Sequence, residues 1–146
     1  MQQKVITIYT DGACKGNPGK GGWGAVLMFE GKSKNLKGAV ANTTNNQMEL
    51  TAVIEALKAV KNPAYKINLY TDSKYVMDGI TSWIFNWKKN GWKSANKQPV
   101  KNKELWIELD ELVQQFSISW NWVKGHSGDT YNDLVDRLAN EAIEQM

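Results

Sequence analysis

Short β-branched and aromatic runs, set apart by polar and glycine-bearing stretches, mark the strands of this chain. Lys4 to Thr10 (KVITIYT) and Trp23 to Phe29 (WGAVLMF) are the first two. Glu30-Gly31-Lys32-Ser33 predicts a tight hairpin turn with glycine first in its central pair, leading into a third strand around Asn35 to Ala41. Helical spacing then covers about Asn46 to Val60, and Lys61-Asn62-Pro63 stops it. Lys66 to Thr71 predicts a fourth strand, Ile118 to Val123 a fifth. Helical segments are expected over roughly Lys74 to Trp87, Lys103 to Phe116 and Tyr131 to Ile143. Hairpin loops make the first three strands antiparallel, and helical crossovers make the later ones parallel. The expected class is α/β: one domain over 1–146, with a five-stranded mixed sheet flanked by helices.

Composition narrows this little. A chain of 146 residues, 42% hydrophobic and 23% charged, has the size and make-up of one globular domain with its own core. Cys14 is the single cysteine, which excludes an intrachain disulfide and a cysteine zinc cluster and points to a reducing compartment. Met1-Gln2-Gln3-Lys4 runs directly into a strand, without a leader or a membrane-length apolar run, so a cytoplasmic address and no membrane contact are expected, with a monomer as the default. Charge distribution says more than the net +3. Six lysines (Lys88, Lys89, Lys93, Lys97, Lys101, Lys103) and no acid lie between Gly79 and Lys103, leaving the remainder mildly acidic. A basic lobe of this kind at about 80–103 implies an anionic partner.

The tripeptide Tyr-Thr-Asp occurs twice, as Tyr9-Thr10-Asp11 and Tyr70-Thr71-Asp72, each time closing a strand-like run. Strands disfavour aspartate. If the two strands are parallel neighbours, both carboxylates reach the crevice beyond the strand ends, where α/β sheets bind ligands. The plainer alternative is a turn residue or, for Asp72, a helix cap. Glu49 falls on the apolar stripe of Val53, Ala56, Leu57 and Val60, a costly place for a carboxylate without a cation; the alternative is a capping box with Asn46 as cap. Gly19 to Gly24 forms a formal G-x-G-x-x-G, but a strand follows instead of a helix, which rules out dinucleotide binding and leaves a glycine-rich loop able to approach a polymer. Trp83 and Trp87 sit at helical core spacing, whereas Trp92 breaks it; aromatics among lysines suit a phosphate backbone. His126, the single histidine, lies in a polar loop and suits a proton shuttle. Periodicity places Asp136 off the stripe of Leu134, Val135, Leu138 and Ala142, facing solvent.

Taken together, Tyr9-Thr10-Asp11-Gly12, Gly16-Asn17-Pro18-Gly19, Thr43 to Leu50, Tyr70-Thr71-Asp72-Ser73, Asn86 to Lys89 with Gly91-Trp92-Lys93, Trp122 to His126, Asn132 and Asp136 to Ala139 resemble type 1 ribonuclease H, the bacterial RNase HI family. The resemblance spans nearly the whole chain. It implies a single ribonuclease H catalytic domain that hydrolyses the RNA strand of RNA·DNA hybrids, leaving 5′-phosphate and 3′-hydroxyl ends. By the resemblance, Asp11, Glu49, Asp72 and Asp136 hold two Mg²⁺ ions, with Mn²⁺ as a substitute. Asp11 bridges the pair, Glu49 and Asp72 serve the leaving-group side and Asp136 the nucleophile side, while His126 moves protons or helps release product. RNA-side contacts fall to Gly12 through Cys14, Asn17 and Glu49. Asn45, Trp83, Trp87, Trp92 and the lysines up to Lys101 face the DNA strand, and Thr44 with Asn102 matches a DNA-phosphate pocket. The chain departs from the family's common arginines at Asn42 and Gln47 and its glutamine at Lys74, changes expected to alter affinity and not catalysis. The alternatives are a non-catalytic hybrid- or RNA-binding domain, which has no use for four acids, or another nuclease of the same superfold.

Overall fold

A computed structural model describes residues 4–125 and 128–146. Its strands are β1 (Val5–Gly16), β2 (Gly19–Phe29), β3 (Lys32–Thr43), β4 (Lys66–Thr71) and β5 (Ser117–Trp122). Its α-helices are α1 (Asn45–Lys58), α2 (Lys74–Asp78), α3 (Ile84–Lys89), α4 (Lys103–Val113) and α5 (Thr130–Glu144), with a π-helical turn, Gly79–Trp83, between α2 and α3. The sheet runs β3-β2-β1-β4-β5. The first three strands pair antiparallel, and β1, β4 and β5 pair parallel, as the hairpins and crossovers require.

Side chains alternate across the sheet and separate two cores. On one face Ile6, Ile8, Ala25, Ile67 and Leu69 meet Leu50, Val53, Ile54 and Leu57 of α1, with Trp106 and Leu109 of α4 beyond. On the other, Tyr9 and Val26 meet Val135 and Leu138 of α5. Removing each large aliphatic side chain from water contributes about 1.5–3 kcal/mol, so both layers hold their helices firmly. Among the described residues, no helix is long and apolar enough to cross a membrane.

Several elements differ from the sequence expectation. β1 continues to Gly16 and β2 starts at Gly19, so the supposed glycine-rich loop is mostly a β-ladder. Its glycines make room for a helix: a Cβ on Gly22 would lie 2.2 Å from the Ala139 carbonyl oxygen, and one on Gly24 2.6 Å from that of Val135. Here missing side chains signal close helix–strand contact. The β2–β3 turn is Glu30-Gly31, with φ of 49° and 81°, so glycine is second in a turn of the type I′ kind. The cap of α1 is Thr44, not Asn46: Gln47 N donates to Thr44 Oγ1 at 3.2 Å, and Thr44 N donates to Gln47 Oε1 at 3.3 Å. That box uses Gln47 and leaves Glu49 free of capping. The expected helix over 74–87 is divided by the π turn, which inserts a residue and shifts the phase of everything after it.

Gly24→Ala should push α5 off the sheet, because the clash is with backbone that cannot rotate away. Overpacking of this kind costs about 1–3 kcal/mol. A lowered urea midpoint at unchanged m-value is the expected result, and an unaltered midpoint would contradict this packing.

Candidate active site

Parallel register explains the repeated tripeptide. Tyr9 is paired with Tyr70 and Thr10 with Thr71, where the β1–β4 ladder ends. Asp11 and Asp72 are the next residues of each chain, on the face that Tyr9 and Tyr70 occupy. Asp11 does not end its strand, because β1 continues along β2 with Asp11 opposite Gly24. It ends the parallel pairing, and there the sheet opens. Below the carboxylates the Tyr9 and Tyr70 rings stack at 4.7 Å, and Tyr131 of α5 joins at 5.5 Å. Burial, and then the facing and hydrogen-bonded Asp129 carboxylate, push the Tyr9 hydroxyl up to about 12. Asp129 also caps α5, accepting from Tyr131 N at 3.1 Å and Asn132 N at 3.0 Å, so α5 is tied to β1 at its first turn.

Asp11, Glu49 and Asp72 each offer a carboxylate oxygen within 4.8 Å of the others. Asp11 and Glu49 are buried. The first turn of α1 comes close over Gly12, where a Cβ would lie 2.5 Å from Glu49 N. Ser73, not Asp72, caps α2 by accepting from Val76 N at 3.1 Å, which frees Asp72 for the cluster. Asp136 is half-buried, and its side chain is hydrogen-bonded with that of Asp11. The solvent-facing position expected from periodicity is therefore corrected: the flank of α5 beside its apolar stripe borders the opened end of the sheet.

Electrostatics mark the cluster as incomplete. Burial, then Asp72 and Asp136, raise the Asp11 carboxyl to about 9. Burial, then Asp11 and Asp72, hold Glu49 well above the carboxylate range. Glu49 Oε1 is buried without a hydrogen-bond partner. Crowded hard oxygens, one of them unsatisfied, fit a divalent cation. An apolar cavity of about 340 Å³, lined by Ile6, Leu27, Phe29, Val60 and Tyr65 among others, lies toward the opposite end of β1 and holds none of these acids. Chemistry, and not cavity size, locates the site.

The expected contact residues are spread over several elements. Asn45 N donates to Asn17 Oδ1 at 3.3 Å, and the Cys14 thiol donates to the Thr43 carbonyl at 3.3 Å. Gln47 links Thr44 to Asn102: its Oε1 accepts from Thr44 N, and its Nε2 donates to Asn102 Oδ1 at 3.1 Å. Lys74 Nζ sits 5.2 Å from the ring centre of Trp122, whose Nε1 donates to the Asp72 carbonyl at 3.2 Å. Trp83 is exposed, while Trp87 and Trp92 pack against the first core. Lys89, Lys93, Lys97 and Lys101 are exposed, and Lys88 is ion-paired with Asp110. His126 lies outside the described residues. Two participants escape the sequence patterns. Tyr75 accepts from Asn102 Nδ2 at 3.1 Å and Trp106 Nε1 at 2.9 Å, partners 27 and 31 residues away that leave no local signal. Trp122 belongs to the Trp122 to His126 motif, but nothing local links it to Asp72.

The chain is similar to known proteins over nearly its whole length. Residues 3–144 match the family model described as RNase H. The chain is 59% identical to the ribonuclease H of Hydrogenovibrio crunogenus over 97% of both chains. It is 58% identical to that of Wolbachia pipientis wMel over 98% of both. Among solved structures it is similar to LC9-RNase H1, a type 1 RNase H with the type 2 active-site motif, at TM-score 0.89 and 31% identity, covering 99% of this chain and 74% of that one. LC11-RNase H1, solved in complex with an RNA/DNA hybrid, gives TM-score 0.71 and 25% identity, covering 96% of this chain and 97% of that one.

The raised Asp11 carboxyl has a consequence for stability. In the fold it keeps its proton to about pH 9, against an ordinary value of 3.8. Between those values the folded state binds the additional proton, so stability falls as pH rises through the window. Metal-free protein should lose melting temperature from about pH 4 to pH 9. Asp11→Asn should flatten that slope and raise the neutral-pH melting temperature, by roughly 2–4 °C for each kcal/mol relieved. A variant melting lower than the parent at every pH would contradict this.

Proposed function

Because the chain belongs to the type 1 ribonuclease H family and is a ribonuclease H acting on RNA/DNA hybrids, we propose that it cuts the RNA strand internally by metal-dependent phosphodiester hydrolysis, leaving 5′-phosphate and 3′-hydroxyl ends. The observation that carries this is the cluster of buried Asp11 and Glu49 with half-buried Asp72, one Glu49 oxygen being unsatisfied and Asp136 lying against Asp11. A hybrid-binding module without catalysis has no reason to bear the repulsion of such a cluster.

Asp11, Glu49, Asp72 and Asp136 are the residues that would hold two Mg²⁺ ions, with Mn²⁺ able to replace them. When bound, such ions supply Lewis acidity that activates a water and stabilises the leaving oxygen. Asp11 interacts with both Asp72 and Asp136, so it would be the ligand shared by the two ions. Glu49 and Asp72 would serve the leaving-group side, and Asp136, which is half-buried, would serve the nucleophile side. His126 is proposed to move a proton there.

Selection of the hybrid rests on the flanks of the cluster. Backbone from Gly12 to Cys14, with Asn17 and Glu49, takes the RNA strand, whose 2′-hydroxyls distinguish it from DNA. Thr44 and Asn102, joined through Gln47, form the DNA-phosphate pocket. Asn45, Trp83, Lys89, Lys93, Lys97 and Lys101 extend that path, and Lys74 adds a cation beside Asp72. The hybrid bound by LC11-RNase H1 is consistent with this substrate class.

End-labelled RNA·DNA hybrid, duplex RNA and duplex DNA incubated with Mg²⁺ test the reading. Cutting confined to the RNA of the hybrid, with ligatable 5′-phosphate ends, and lost in Asp11→Asn or with chelator, is expected. Tight hybrid binding with no cutting in Mg²⁺ or Mn²⁺ would overturn it.

A further inference from the structure

The basic segment is not uniform. Among the described residues Lys88 is the one lysine of the six with an ion pair, its Nζ 3.2 Å from Asp110 Oδ2 and 3.4 Å from Oδ1. The Asp110 side chain, on α4, is only 16% exposed and also accepts from Gln114 Nε2 at 3.3 Å. Trp87, the preceding residue, meets the buried Trp106 of α4 edge-on at 5.3 Å. Adjacent residues of α3 are thus fastened to α4 by one apolar and one ionic contact. Lys89, Lys93, Lys97 and Lys101 have no such partner among the described residues and extend into solvent.

A phosphate competing for Lys88 would leave Asp110 an unpaired, largely desolvated carboxylate, and would itself be repelled by it. We propose that Asp110 is a positioning residue of the nucleic-acid surface: it holds Lys88 as a strut on α4, removes that lysine from the phosphate contacts, and leaves them to Lys89, Lys93, Lys97 and Lys101. This rests on the hybrid-binding reading above. It divides the basic segment into one structural lysine and four contact lysines.

The salt dependence of hybrid affinity counts the lysines that contact phosphate, at a slope of about 0.9 per contact on B-form duplex. It should be measured with Asp11→Asn in every protein to suppress cleavage, and with circular dichroism to confirm folding. Lys89→Ala should flatten the slope by about 0.9, whereas Lys88→Ala should not flatten it. Asp110→Asn, which frees Lys88, should steepen it by a similar amount. Equal flattening by Lys88→Ala and Lys89→Ala overturns the inference, and that comparison does not depend on whether Asp110 tolerates replacement. An unchanged slope in folded Asp110→Asn overturns it as well. Were the parent protein's hybrid affinity insensitive to salt, the hybrid-binding reading would fail first, and this inference with it.

Discussion

Desolvation of two buried carboxylates, Asp11 and Glu49, sharpened by repulsion from their acidic neighbours, is the constraint around which this protein is arranged. Asp11, Glu49 and Asp72 come from three separate elements, β1, α1 and the end of β4, and Asp136 comes from a fourth. Among the described residues no ion pair involves any of the four, and one buried Glu49 oxygen has no hydrogen-bond partner. The two apolar cores supply the stability that holds them together. Such an arrangement stores unfavourable electrostatic energy that a bound divalent cation would relieve.

The surrounding structure keeps the acids in place. Identical tripeptides in register put two aspartates side by side, and the tyrosines two residues earlier stack beneath them. Tyr131 and the Asp129 cap tie the α5 end to that stack, while glycines in β2 let the α5 backbone sit close enough to carry Asp136 inward. Charge is segregated as well. Acids line the opened sheet end, and the lysines stand on α3 and the segment after it, so substrate can be held by one surface and cut by another.

Much of this was legible in the sequence, for physical reasons that differ by residue. Hairpin and crossover spacing indicated the sheet correctly, and the doubled Tyr-Thr-Asp pointed to neighbouring strand ends. Glu49 announced itself by sitting on an apolar stripe. Asp136 did not, because periodicity reports what faces the core and not what borders the end of a sheet. The β2 glycines were misread as loop, since composition cannot distinguish a glycine kept for a turn from one kept for a helix's approach. Tyr75, Trp122 and the Lys88–Asp110 pair depend on partners 22 to 50 residues away, beyond any local pattern.

The central claim is that the free site keeps protons that a divalent cation must displace. Calorimetric titration of the protein with Mg²⁺ near pH 7, in buffers of different ionisation enthalpy, tests it directly. A carboxyl raised to about 9 must lose its proton when it becomes a ligand, so the observed heat should vary with the buffer and report release of about one proton or more per site. Binding whose heat is the same in every buffer would mean that the acids are already ionised in the free protein, and a proton-holding cluster would be ruled out.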